Sequence, residues 1–292
     1  MERYFDRRSG KIVSERTYKK DTLDFLYGRR FGRVLRQLIV SRPIFSKLYT
    51  KRMYRRSSVS EIPAFIEENG IKTGDFVSKN WTCLADFFIR EPKAAARPWD
   101  PDPQRMPSPA DARLMAYSIN EHTEIQVKGF TYEIAELLHD PDLAYAYCGG
   151  ICLIYRLTMA DCHRFYHIDD GTMVSASEAI RGRLHTVGPL SDGRQAVLRE
   201  NSRVVSILDT KHLGTVAQIE VGALTVGSII NHDMRSFKRG DEKGYFQPGG
   251  STIVQLIQAD RLKIDEDIAA ASLDGIETKV LLGEGIGRFF AK

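Results

Sequence analysis

The sequence predicts an α+β protein whose core is mainly antiparallel sheet, sandwich- or barrel-like, with helices concentrated in a basic N-terminal region. Two observations carry the sheet. Residues 204–210, 214–229, 252–257 and 279–282 are runs rich in β-branched residues. Short polar connections join them, the pattern of an antiparallel sheet rather than of βαβ repeats. The third observation concerns charge. Residues 1–56 hold 17 Lys/Arg against 5 Asp/Glu, a net of +12, while the rest of the chain holds 25 against 33, a net of −8.

The chain has 292 residues, 42% of them apolar and 27% charged, which suits a soluble globular protein of one large domain or two ordinary ones. We divide it into a basic amphipathic, membrane-associating segment, residues 1–56, and a single domain, residues 57–292. The four cysteines, Cys83, Cys148, Cys152 and Cys162, form no C-x-x-C pair and fit a reducing compartment. The first residues lack the apolar core of a signal peptide. No run approaches the roughly 18 apolar residues that span a bilayer. The expectation is a peripheral membrane protein on the cytoplasmic side.

In the basic segment, Phe31, Val34, Leu35 and Leu38 recur at helical spacing among Arg29, Arg30, Arg33 and Arg36. Pro43 ends that helix. A basic amphipathic helix with aromatic neighbours suits an anionic membrane surface, where each basic residue is worth about 1 kcal/mol. An ordinary helix packed on the body is the competing reading. No nucleic-acid motif is present, and no nucleic-acid partner is expected.

Next, Ser60 to Gly70 reads as a short helix, with Pro63 in its first turn and glycine at its end. The aromatic segment Asp86-Phe87-Phe88-Ile89-Arg90 follows. A proline-dense connector then ends at Ser108-Pro109-Ala110-Asp111, where a strand begins. Asp111 at that junction has the position of a cap or an Asx turn.

Residues 151–157 have a buried-strand pattern and deliver Asp161-Cys162-His163-Arg164-Phe165-Tyr166-His167, an exposed-looking connection. Two histidines within five residues, beside Asp161, suit proton transfer on a loop carried by a rigid strand. A zinc site would lack a clear third and fourth ligand. His185 reads as structural.

The remaining stretch of interest is Gly249-Gly250-Ser251-Thr252. Two glycines leave the backbone open before a serine that begins a strand. By itself this is a glycine turn feeding a strand.

Taken together and in this order, the segments resemble the phosphatidylserine decarboxylase proenzymes, a pyruvoyl-dependent family. Residues 86–90 resemble its FFxR segment, residues 108–111 its SPADG segment, and Asp161-Cys162-His163-Arg164 its DYHR motif. Residues 214–229 and 238–246 are similar to its approach to the cleavage site. Gly249-Gly250-Ser251-Thr252 matches the GGST form of its processing motif, where many members have LGST. The departures are Ala112 for glycine, Cys162 for tyrosine, and Tyr166 where a second histidine is common, with His167 one residue further on.

The resemblance would make 57–292 the catalytic domain and implies self-cleavage between Gly250 and Ser251 into a β subunit, 1–250, and an α subunit, 251–292. Ser251 would become a pyruvoyl group, with no pyridoxal phosphate and no metal. The processing triad maps to Asp111, Ser251 and a histidine, either His163 or a shifted His167. In turnover His163 would be the acid that protonates the substrate carbon. The implied reaction takes phosphatidylserine to phosphatidylethanolamine and carbon dioxide. The implied partners are phosphatidylserine, an anionic membrane surface and the two cleaved subunits, with a homodimer left open. Two alternatives stand beside it: the same chemistry on a soluble amino acid such as tryptophan, and a membrane-binding pseudoenzyme that does not process. A Ser-His-Asp hydrolase is a poorer fit, because G-x-S-x-G is absent around Ser251.

The basic segment gives a first test. In liposome flotation, anionic vesicles should retain the protein at low salt and release it at high salt. Equal retention on neutral vesicles would contradict an electrostatic attachment.

Overall fold

The structure is a computed structural model that describes residues 2–15, 50–127, 130–175, 177–182, 197–222, 228–249 and 251–290. The expected basic helix around residues 29–38, His185 with its neighbours, and Gly250 lie outside the described residues.

The centre of the fold is the strand Ser251–Ile257, buried along its whole length. It pairs antiparallel with Gly214–Gly222 on one side and Ile151–Leu157 on the other. In sheet order the strands are Ser236–Phe237, Gly171–Met173, Arg203–Thr210, Gly214–Gly222, Ser251–Ile257, Ile151–Leu157, Ala112–Ser118, Glu277–Val280, Glu2–Asp6 and Lys11–Glu15. Glu178–Ile180 adds to Arg203–Thr210 off this path. The pairings are antiparallel except that of Glu2–Asp6 with Glu277–Val280, which is parallel. Among the described residues the sheet ends in two edge strands and does not close, so the expected antiparallel α+β core is layered there.

Side chains alternate across a pleated strand, so this central strand feeds two cores. Val254 and Leu256 join Ala217, Ile219, Val221, Ile134 and Leu138 on one face. Ile253 and Ile257 join Tyr155, Leu157, Phe165 and Phe246 on the other, and Ser251 shares their parity. Covering that second face is a small sheet of Ile229–Asn231, Glu242–Phe246 and Arg164–Tyr166. A third core gathers Ile62, Phe65, Phe87, Phe88 and Cys162.

The helices are short. Ile62–Asn69 ends at Gly70 in the left-handed conformation (φ 62°), as the sequence predicts. Its N-terminus, however, has no side-chain cap. The aromatic segment forms the helix Leu84–Phe88. At the C-terminal end, the predicted 279–282 strand is shifted to Glu277–Val280. Leu281 and Leu282 turn instead toward Gly283, whose φ is 79°.

One expectation is overturned. The connection 161–167 is not exposed: His163 is 0% and His167 2% accessible. Burial alternates from 163 to 167, so His163, Phe165 and His167 point inward while Arg164 and Tyr166 point away. The strand Arg164–Tyr166 is what imposes that alternation.

Within the basic segment, residues 2–15 form a hairpin whose second strand is one edge of the large sheet, and residues 50–56 include the short helical turn Arg52–Tyr54.

Candidate active site

Ser251 opens the central strand opposite Gly222 and Leu157. It is fully buried, and among the described residues its Oγ has no hydrogen-bond partner. Gly222 leaves the neighbouring position on that side without a side chain. Before Ser251, Gly249 has a φ of 145°, a conformation other residues resist. The sequence therefore sets a bare hydroxyl at a strand end with open backbone before it.

The histidines come from the facing layer. Two chain segments run antiparallel there: Tyr245 pairs with Arg164, and the Phe246 amide donates to the His163 carbonyl at 2.9 Å. The same two segments are joined again where Ser251 pairs with Leu157. The stretch 158–163 is thereby held against the approach to Ser251.

His163 Nδ1 lies 3.1 Å from the Asp161 carbonyl oxygen. A carbonyl only accepts, so Nδ1 carries the proton and Nε2 presents its lone pair. That Nε2 is buried and unpartnered. The ring packs on Phe88, with centroids 3.9 Å apart. Burial, and then the Arg90 guanidinium, lower its pKa to about 3.

His167 stacks on Phe237, with centroids 3.7 Å apart and ring planes 7° from parallel. Its Nδ1 is also buried without a partner. Burial, and then the Lys243 ammonium, lower its pKa to about 3. Both rings are thus neutral at neutral pH.

An unpaired buried polar atom costs about 1–3 kcal/mol. Three of them on two facing layers, in Ser251, His163 and His167, mark a place where chemistry outweighs stability.

Asp111 is 2% accessible, and its carboxylate is fully engaged. Arg97 donates to both oxygens at 2.8 Å, and the Leu282 amide donates to Oδ1 at 2.9 Å. Neither histidine is among its hydrogen-bond partners. Asp111 instead anchors the 108–111 turn, from which the Pro109 carbonyl accepts the Tyr166 amide at 3.0 Å. Its contact with the histidine strand is therefore through backbone.

Cys162, standing for tyrosine, donates its thiol to the Arg90 carbonyl at 3.3 Å, and burial pushes that thiol up to about 12. Tyr166 faces outward beside Trp99. A residue at 166 has the wrong parity to enter the layer, whereas His167 has the right one.

The sequence reading passed over Lys243 and Glu220, both 0% accessible. Lys243 Nζ donates to Glu220 Oε1 and Asn231 Oδ1, each at 2.9 Å, and to Ser206 Oγ at 3.1 Å. From Glu220 the polar chain continues through Gln218 and Gln255 to the Tyr155 hydroxyl. The available signal was parity: Gln218, Glu220 and Gly222 alternate on the strand beside Ser251. Among the described residues, no three His, Cys, Asp or Glu side chains gather as metal ligands.

Comparison with known proteins places the chain in a family. Residues 84–288 match the family described as phosphatidylserine decarboxylase. The chain is 44% identical over 283 residues to phosphatidylserine decarboxylase proenzyme 2 of Clostridium acetobutylicum, covering 97% of each. It is 38% identical to the phosphatidylserine decarboxylase proenzyme of Clostridium novyi, over 98% of this chain and 99% of that one. It is 36% identical to the one from Desulfitobacterium hafniense, over 98% of each.

The neutral histidines have a consequence for stability. Their folded pKa, about 3, lies below the unfolded value of 6.5. Between those values the unfolded chain binds more protons, so stability is full above pH 6.5 and is lost as pH falls toward 3. Each histidine contributes up to about 1.4 kcal/mol per pH unit in that window. Urea midpoints should therefore fall between pH 7 and pH 5, and fall less when both are replaced by Gln. A midpoint unchanged across that range would contradict the buried, neutral assignment.

Proposed function

Since the chain belongs to the phosphatidylserine decarboxylase family, we propose that it cleaves itself at Gly250-Ser251 and then removes carbon dioxide from phosphatidylserine, leaving phosphatidylethanolamine. The observation that carries this reading is the buried, unpartnered Ser251 Oγ at the first position of a central strand.

Maturation needs a base for a weak nucleophile. His167 takes the Ser251 hydroxyl proton, and Oγ attacks the Gly250 carbonyl carbon. The Gly250–Ser251 C–N bond breaks, the freed amine takes a proton, and an ester replaces the peptide. Loss of the Ser251 Cα proton then expels the Gly250 carboxylate from Cβ. The dehydroalanine left at 251 takes up water and releases ammonia, giving a pyruvoyl group. Ser251 fits this role because its backbone pairs on both sides, so the new end stays in the sheet after the cut.

The pyruvoyl carbonyl supplies an electron sink for the pair left behind by carbon dioxide. The chain's own residues do the rest. His163 Nε2 faces the same layer, and the negative charge of phosphatidylserine raises its proton affinity on arrival. It therefore carries the proton that the substrate carbon receives. Phe88 and the fully buried strand keep water from that carbon. Asp111 supports both steps through the turn that holds the histidine strand.

Among the described residues no helix is long and apolar enough to cross a membrane. A lipid substrate then calls for attachment at a surface, and the +12 segment supplies the charge for it. The curated relatives name the lipid enzyme, and neither the tryptophan reading nor the pseudoenzyme gains support from them.

Purified protein should show two chains by intact mass and release carbon dioxide from phosphatidylserine but not from free serine or tryptophan. Ser251→Ala should give one uncut, inactive chain. Wild-type protein that stays whole, or that prefers a free amino acid, would overturn the proposal.

A further inference from the structure

Across the sheet from Ser251, five charged side chains form a ladder that starts in the N-terminal hairpin. Arg113 and Arg156 are direct cross-strand partners, a repulsive placement unless an anion lies between them. Glu15 is that anion. Its Oε1 is 2.9 Å from Arg113 Nη2, and its Oε2 is 2.7 Å from Arg156 Nη2. Glu277 holds Arg156 on the far side. On the near side, Arg113 Nη1 stands 3.7 Å from Asp161 Oδ1. The side chains of Glu15, Arg113, Arg156, Asp161 and Glu277 are all 11% accessible or less.

Arg113 is steered by charge rather than fixed by hydrogen bonds. Its Nε and Nη1 have no hydrogen-bond partner. The ring of Tyr4, from the first strand of the same hairpin, lies 4.2 Å from its guanidinium. The hairpin thus supplies both the carboxylate and the ring that aim it.

Asp161 connects this ladder to the site. Its side chain accepts from the Thr158 amide and hydroxyl at 2.7 Å and closes the turn 158–161. Its carbonyl accepts from His163 Nδ1 and, at 2.9 Å, from Arg90 Nη2. That carbonyl is what sets the tautomer of His163. Without the Glu15 charge, Asp161 would be the carboxylate already nearest to Arg113 in the ion pairs of the described residues. Closing the 3.7 Å gap would draw Asp161 off Thr158 and rotate the carbonyl that orients His163.

We propose that Glu15 is a positioning residue for His163, acting through Arg113 and Asp161, and that the N-terminal hairpin is therefore part of the decarboxylation machinery. This rests on the assignment of His163 to turnover.

The test uses full-length Glu15→Gln, Glu15→Asp, Arg113→Lys and His163→Gln. Intact mass reads cleavage, and carbon dioxide release reads kcat, KM and the pH profile. Glu15→Gln should still cut to two chains, because cleavage depends on His167. Its kcat should fall by about tenfold to a hundredfold with KM little changed, the effect of a misaligned group rather than of lost binding. Its pH profile should move toward acid, since the cluster beside His163 loses one negative charge and Asp161 is drawn into a closer pair with Arg113. Arg113→Lys should lose kcat in the same way, and Glu15→Asp should keep the wild-type pH profile. Wild-type kcat and pH profile in Glu15→Gln, with His163→Gln inactive, would overturn the role of Glu15 alone. An active His163→Gln would overturn the assignment beneath it. If Glu15→Gln does not fold, Arg113→Lys carries the same two outcomes.

Discussion

A lysine ammonium buried against a glutamate joins the two layers between which this site lies. Lys243 comes from the small sheet that carries the histidine strand, and Glu220 from the large sheet that carries Ser251. All three ammonium protons are used, so the pair is satisfied as well as neutralised. Removing one partner of such a pair costs about 3–5 kcal/mol, a large share of the roughly 5–15 kcal/mol that holds a domain together. The same ammonium opposes protonation of His167. One interaction therefore ties the two layers together and, second to burial, helps keep His167 neutral.

Around that clamp, the site departs from the rule that buried polar atoms find partners. Lys243, Glu220, Gln218 and Gln255 satisfy one another along the sheet, while Ser251 Oγ, His163 Nε2 and His167 Nδ1 do not. A saturated network beside unsaturated groups separates what holds the layers from what reacts. Two unpartnered histidine nitrogens also suit the two proton transfers proposed at one position, one for making the carbonyl group and one for the reaction on it.

Much of this was legible in the sequence. The β-branched runs named the central strands, and the glycines before Ser251 named an open backbone. The ordered motifs named the family. What stayed hidden depended on parity and on long-range charge. Residues 161–167 look solvated because they are polar, yet Phe165 between two histidines is a period-two pattern with one buried face. Lys243 and Glu220 read as surface charges until strands far apart in sequence bring them together. Glu15 vanished into the basic average of residues 1–56, although Ser9-Gly10 between the short runs 2–6 and 11–15 is a turn signal. Asp111 was visible, but its partner was not: its carboxylate goes to Arg97 and the Leu282 amide rather than to a histidine.

The proposed chemistry divides its labour between two buried, neutral histidines. Its most direct test follows cleavage by intact mass and carbon dioxide release by rate in His167→Gln and His163→Gln side by side. His167→Gln should remain one uncut chain. His163→Gln should cut to fragments 1–250 and 251–292 and release no carbon dioxide from phosphatidylserine. His167→Gln protein cut at the wild-type rate, or an uncut His163→Gln chain, would contradict it.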